Sequence, residues 1–385
     1  MTGFSQNLDS SQETIAKVLN AEGYDTFGFS NSYHTSRDRG FDRGFEYYHD
    51  IVNLPRFRGK MYEPSKKYVE FVWKYVLDDY DISYFQLRKL GNVIENASEP
   101  LFGFINLNSA HSPYDPPGQY LSEFDDGFDA AEANEETASD LASEGGYRFM
   151  MGELEATDAE WNLVKRWYDG EIRYMDRLLG RFISRLKNEG RYENTLIVVT
   201  SDHGEHFGER GLAYHQFSLY EQLLNVPLLV KWPGSTNASI SEELVSLIDL
   251  APTILDVVGI DAPSSMEGRS LRSGSEPEAV FAEYAGPYPP LKDRLKNYGD
   301  AFAEYDHGLQ AIRTHQHKLI RSPKGESTLY RIAPEGEIEA DDPGREVELR
   351  ERLDRYLTEL PDEGGYEEEE PEEHVRDRLE KLGYM

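Results

Sequence analysis

Apolar positions along the chain change period several times, and each change marks an element. Ile15, Val18 and Leu19 recur at helical spacing behind Ser10 and Ser11, either of which can cap a helix, and EGYDTFGFSN then supplies a turn and a short strand. LFGFINLNSAHSPYDPP is an apolar run with aromatic and β-branched residues, broken by His111 and three prolines. It predicts a buried strand ending in a rigid loop, with His111 where the strand stops. Ile172, Met175, Leu179, Phe182, Ile183 and Leu186 form a helical stripe closed by Gly190, and NTLIVVT follows as a fully buried strand. Helix, glycine turn and apolar strand in succession point to a doubly wound α/β sheet.

LYEQLLNVPLLVKWPG continues the alternation with a short helix and a further strand, and VSLIDLAPTILDVVGI predicts a helix with Pro252 near its start. From about Ala279 to Ile332, short runs such as AVFAEY, LQAIRT and HKLIRS predict an antiparallel meander. Between Leu121 and Glu160, Asp, Glu, Ala, Ser and Gly crowd out large apolar residues, which predicts a mobile surface insertion with little packing of its own. The division expected is an α/β domain over 1–275 with an acidic insertion at 121–160, a small C-terminal subdomain over 276–360, and an acidic tail with a short helix over 361–385.

Composition narrows the partners. The chain has 385 residues, with 72 acidic against 40 basic ones and a formal charge of −32. That charge repels nucleic acid and anionic membranes, so no nucleic-acid or membrane partner is expected, and it reads as a solvated acidic surface of the haloarchaeal kind. The absence of cysteine excludes disulfides, thiolate ligands and a cysteine nucleophile within these residues. Without a basic leader or a long apolar segment, a cytoplasmic location is expected.

Ligands of open α/β sheets bind beyond the carboxyl ends of strands, and both NSAHSPY and TSDHGEH fall there. Asp202 and His203 offer a carboxylate oxygen and an imidazole nitrogen to a divalent cation, with Glu205 and His206 next in reach or behind them. An Asp at such a turn also serves as a helix cap. His111 and His215 are loop histidines suited to hold an anionic group and to give a proton to a leaving oxygen. The remaining histidines, His34 among them, are given no role.

Taken in order, ETIAKVLNAEGYDTFGFSN, NLNSAHSPYDPP, YDGEIRYMDRLLGRFISRLKNEGRYENTLIVVTSDHGEHFGERG, HQFSLYEQLLNVPLLVKWPG, SLIDLAPTILDVVGIDAPSSMEGRSL and AIRTHQHKLIRSPKGESTLYRI resemble blocks of the sulfatase family of the alkaline phosphatase superfamily. The resemblance implies an alkaline-phosphatase-like α/β sandwich with a largely parallel central sheet flanked by helices, plus a small C-terminal antiparallel sheet. It implies metal-dependent hydrolysis of a small anionic sulfate ester, with phosphodiester or phosphonate ester hydrolysis, or an anion-binding remnant without turnover, as alternatives. It makes Asp202 and His203 ligands of a divalent metal, calcium in the family's usual form with magnesium or manganese as alternatives. It makes His111 and His215 catalytic and substrate-binding, His215 standing where relatives often carry lysine. The family's first strand, its acidic ligands and its nucleophile motif, which ends in TG, precede the part matched here, and MTG aligns with that ending. The expectation is therefore a truncated member lacking the first family strand.

Overall fold

A computed structural model of the protein describes residues 8, 12–50, 82–97, 99–121 and 133–360. Helix α1 (Ile15–Ala21) starts at Thr14, whose hydroxyl accepts from Lys17 N while donating to the Arg43 carbonyl. The cap is thus Thr14; Ser10 and Ser11 lie outside the described residues. Strand β1 (Asp25–Ser30) runs parallel between β2 (Tyr47–Asp50) and β3 (Leu101–Asn106), with Ser30 in register with both Asp50 and Asn106. Helix α2 (Ile82–Asn96) covers this sheet, Leu90 and Ile94 packing on Phe29. Three parallel strands send their outgoing loops to one edge, which takes the segments bearing His34 and His111 to the same side.

After a short helix α3 (Gly118–Leu121), the stretch expected to be a mobile insertion is folded wherever it is described. Helix α4 (Glu135–Asp140), a π-helical turn (Leu141–Gly145) and α5 (Gly146–Met150) bury Ala138, Leu141, Ala142, Tyr147 and Met150 in one cluster with Trp161, Tyr214, Phe217, Leu291 and Leu295. The expectation of little packing is corrected for the described residues: Ala138, Leu141, Ala142, Tyr147 and Met150 all face one cluster, which an average over composition hides. Helix α6 (Asp158–Asn188) starts well before the predicted stripe; Ile172 is exposed, and Tyr174, Leu178 and Leu186 supply the buried face. Arg185 pins α6 to α2 through Glu95 (2.6 Å) and Asn92 (3.0 Å), and Gly91 makes room, since a Cβ there would stand 2.5 Å from Arg185 Nη1.

Strand β4 (Ile197–Thr200) pairs antiparallel with β7 (Leu228–Lys231), and among the described residues neither β3 nor β4 has a strand on its other edge. The prediction of a fully buried β4 is corrected accordingly: its residues are half-buried, Thr200 is exposed, and Leu229 beside it is 61% exposed. Between them lie a small hairpin of β5 (His206–Phe207) and β6 (Ala213–Tyr214), and α7 (Glu221–Leu224). Helix α8 (Leu250–Val257) carries Pro252 in its first turn, as predicted.

The C-terminal part contains the predicted meander: β8 (Val280–Tyr284), β9 (Leu309–Arg313), β10 (His317–Arg321) and β11 (Ser327–Ala333), with α9 (Pro289–Leu295) and α10 (Asp300–Ala303) between the first two strands. Strand β12 (Gly336–Glu339) extends it to five antiparallel strands, and α11 (Pro343–Glu359) covers one face by setting Leu349 and Leu353 on Ile312, Leu319 and Leu329. The predicted acidic tail lies outside the described residues.

Glu160 tests how α6 is held. One carboxylate oxygen accepts from Asn134 N (3.0 Å), the other from Thr157 N (2.8 Å) and the Thr157 hydroxyl, so a single side chain closes the capping box of α6 and ties it to the start of α4. These bonds, the Thr157 hydroxyl first, hold the carboxyl down to about 2. Because the folded pKa lies below the ordinary value of 4.5, the carboxylate's contribution is complete above pH 4.5 and is lost as pH falls toward 2. Glu160→Ala should cost ~1–2 kcal/mol at neutral pH in urea unfolding, with the difference from the parent shrinking in acid. A difference that stays constant down to pH ~3 would show that the carboxylate is not the group responsible.

Candidate active site

The β-branched run of β4 ends at Thr200, and the four residues after it form a turn held by its own side chains. Ser201 Oγ donates to the His203 carbonyl (2.6 Å), and Asp202 Oδ1 accepts from His203 N (3.1 Å). Gly204 N donates to the Leu223 carbonyl (2.9 Å), and a Cβ at Gly204 would stand 2.0 Å from the Gln222 carbonyl oxygen. The turn therefore lies against the backbone of α7, at a distance open only to glycine.

Three histidines meet beside this turn. The rings of His203 and His215 stack with centroids 4.1 Å apart, and His111 meets His215 at 5.4 Å in an edge-on arrangement. Each Nδ1 is held by a fixed oxygen: the Ser112 carbonyl for His111 (2.7 Å), the Gly204 carbonyl for His203 (2.9 Å) and Glu205 Oε1 for His215 (2.5 Å). Carbonyls and carboxylates only accept, so each Nδ1 carries hydrogen and each neutral ring keeps its lone pair on Nε2. Glu205, whose side chain is 5% exposed, also accepts from Tyr114 Oη (3.2 Å). Burial first, then the Glu205 charge, pushes the Tyr114 phenol up, so Tyr114 stays a donor.

His34 joins the same field. Crowding by surrounding protein, then Arg39 and the nearby His111 and His215, holds its imidazole down to about 4, with Asp202 pulling the other way. The sequence reading gave His34 no role; the signal available was its place just beyond β1, matching that of His111 beyond β3. His206 goes the opposite way. It is buried against Ser218 Oγ (Nε2, 2.7 Å). Burial holds it down to about 4.

Two groupings present metal donors. His203, Glu205 and His215 bring one ligand atom each within 4.8 Å of one another. Both Glu205 oxygens and the Nδ1 atoms of both histidines are, however, taken up in the hydrogen bonds above. Asp202 Oδ2 and His203 Nε2 stand 3.8 Å apart, a separation that two donors each ~2.0–2.5 Å from one cation can span. Carboxylate plus imidazole fits a divalent ion, and the 81% exposed Asp202 side chain leaves the remaining positions open to other ligands.

Strand ends carrying imidazoles and an acid at one edge of a helix-flanked sheet, with a five-stranded antiparallel sheet following, define an alkaline-phosphatase-like α/β protein. Solved structures agree: phosphonate monoester hydrolase from Silicibacter pomeroyi superposes with a TM-score of 0.67 at 22% identity, over 92% of this chain and 81% of that one. The enzyme of the same name from Agrobacterium radiobacter gives 0.69 at 18%, over 95% and 86%. At such identities the likeness is one of fold alone. The family model described as Sulfatase matches residues 1–260, and the chain belongs to the sulfatase family. It is 27% identical to the uncharacterized sulfatase YidJ of Escherichia coli over 190 residues, 49% of this chain and 37% of that protein. It is 33% identical to human N-acetylglucosamine-6-sulfatase over 178 residues, 45% of this chain and 32% of that protein. The chain thus spans about a third of the length of the curated relatives it matches. Among the described residues, no helix is long and apolar enough to cross a membrane.

Gly204→Ala should push the Asp202–His203 turn off α7. The expected result is a loss of ~1–3 kcal/mol in thermal or urea unfolding together with weaker divalent-ion binding by calorimetry, and unchanged values for both would mean the close approach is not needed.

Proposed function

We propose that this chain carries the downstream half of an active site for metal-assisted hydrolysis of a sulfate ester. The observation behind this reading is the common anchoring of His111, His203 and His215 through Nδ1, which leaves three Nε2 atoms as the working nitrogens beside Asp202. Asp202 and His203 act as metal ligands. His111 and His215, once protonated on Nε2, donate to the sulfuryl oxygens, and one of them passes that proton to the departing alkoxide; the segment bearing His34 leaves the same edge of the sheet. A divalent cation, calcium by family habit with magnesium or manganese as alternatives, would polarise the sulfur–oxygen bonds. Small anionic esters suit the site on this reading, because a divalent cation on Asp202 and His203 and protonated imidazoles of His111 and His215 would face the place where negative charge develops.

The nucleophile and further acidic ligands belong, on this reading, to a strand that fits between β3 and β4. Support comes from the sheet itself. Both strands have an edge with no partner strand among the described residues, and Phe104 of β3 is 37% exposed where a doubly wound sheet would bury it. The formal charge of −32 is read as a salt-adapted surface. Its melting temperature should rise between ~0.1 M and ~2 M KCl as self-repulsion is screened, and a flat or falling response would remove this part of the reading.

The direct test compares the 385-residue chain with one extended by its upstream coding sequence, assaying aryl sulfates, phosphate diesters and phosphonate monoesters in parallel. Turnover of sulfate esters by the extended protein is the expected outcome; preference for a phosphorus ester would reassign the substrate. Sulfate binding without turnover in both would mark an anion-binding remnant. In the extended protein, Asp202→Asn and His203→Ala should release the metal and lower kcat by ~100-fold or more, whereas His111→Ala should lower kcat with the metal content intact. Full activity in the Asp202 and His203 variants would refute the ligand assignment.

A further inference from the structure

Among the described residues, the non-glycine positions with positive φ are Arg210 (58°), Tyr214 (64°) and Phe217 (70°), and all three fall in the stretch that carries His215. Left-handed backbone at three such residues persists only where surrounding structure imposes it. Tyr214 is held from the helical side, its hydroxyl accepting from Gly146 N (2.8 Å) and lying against the Leu141 and Ser143 carbonyls, whereas the two ends of the stretch are held by the C-terminal sheet. Lys318 of β10 is cross-strand neighbour to Arg313 of β9 and to Tyr330 of β11, forming one row across three strands, while the opposite face carries Ile312, Leu319 and Leu329 toward α11.

Two cations side by side repel unless an anion lies between them. Glu221 fills that place: Oε1 is 3.0 Å from Lys318 Nζ and Oε2 is 3.4 Å from Arg313 Nη2. Lys318, with no exposed side-chain surface, also reaches Glu337 at 2.6 Å, and Glu337 in turn accepts from the backbone N of Glu221 at 3.1 Å. This cluster of two cations and two carboxylates holds the far end of the His215 segment. The near end is held by Arg210, which donates to the Glu337 carbonyl (3.1 Å) and lies over the rings of Tyr220 (4.3 Å) and Tyr330 (5.4 Å). A buried charge cluster of this kind contributes little net stability compared with apolar packing, but it fixes register.

We propose that the row Arg313, Lys318 and Tyr330 is a clamp on both ends of residues 210–221 that, together with the hold of residues 141–146 on Tyr214, imposes the strained backbone and so sets His215 in the site, making Lys318 and Arg210 positioning residues. The proposal rests on the reading that His215 contacts the anion. Its first readout does not. Hydrogen exchange of the full chain is compared for the parent, Lys318→Met, Lys318→Arg and Arg210→Asn, the last chosen because asparagine tolerates left-handed backbone and Arg210 is exposed. Amides of residues 212–217 should exchange about tenfold faster or more in Lys318→Met and Arg210→Asn, with β9, β10 and α11 protected as in the parent, and Lys318→Arg should recover most of the difference. In parallel, inorganic sulfate is titrated while the His215 imidazole resonances are followed, and weaker binding is expected in the two loosened variants. Unchanged loop protection in both variants overturns the clamp, and so does loss of protection spread evenly over the chain, which would make the cluster a general support. If sulfate leaves the His215 resonances of the parent unmoved, the anion-contact reading fails while the exchange result still decides the clamp.

Discussion

Glu205 is almost sealed from solvent, and its two oxygens are divided between Tyr114 and His215. A buried carboxylate is costly unless its lone pairs are filled, so this one residue requires three segments to arrive together: the loop after β3, the turn after β4 and the segment following β6. Those are the segments that bring His111, His203 and His215 into contact. The site is thus organised around a charge that cannot be left unpaired. The close approach of Gly204 to α7 and the capped start of α6 against α4 serve the same end, by keeping the contributing strands and helices at fixed separations.

The sheet carries a second constraint. Parallel pairing sets Ser30 beside Asn106, so that the loops after β1 and β3 leave from neighbouring points and bring His34 toward His111 and His215. Strand β4 reaches the same edge without pairing with β3; the two sides are joined instead through the cluster in which Ile105, Phe182 and Ile197 pack with Phe29 and Leu186. Apolar contact between layers is holding together what backbone hydrogen bonds do not. It fixes separation more loosely than a ladder does, because it has no direction. Contacts from outside the sheet, on both sides of His215, supply the missing precision.

How far the site was legible in the sequence depended on whether a residue's role is local. Asp202, His203 and His111 stand at strand ends that period and composition reveal, and the family blocks point to the same residues. The Glu205–His215 pairing is ten residues apart along a segment that folds back through β5 and β6, and no local pattern announces it. Tyr114 became visible only when three chain segments met, whereas His34 could have been found from its place just beyond β1. The helices over 135–150 were hidden by composition, because Tyr147, Met150 and Leu141 are few among acids and alanines yet face one cluster. The antiparallel partner of β4 was unreadable for a related reason: an apolar run of four residues looks the same whichever direction its neighbour runs.

The acidic surface and the proposed binding of an anion pull in opposite directions, and distance decides between them. A chain at −32 repels an anionic ester at long range. That field decays over ~8 Å at physiological ionic strength, and over ~3 Å in molar salt. At the proposed site an incoming anion meets the Asp202 and Glu205 carboxylates as well as the His111, His203 and His215 rings, so a divalent cation on Asp202 and His203 would supply the positive charge it needs. Low local dielectric strengthens those contacts while the solvated acidic surface is screened. An acidic exterior and a cation-loaded anion site of the kind proposed are therefore compatible on electrostatic grounds, and their compatibility improves as salt rises, since added ions weaken the exposed repulsion far more than the enclosed attraction.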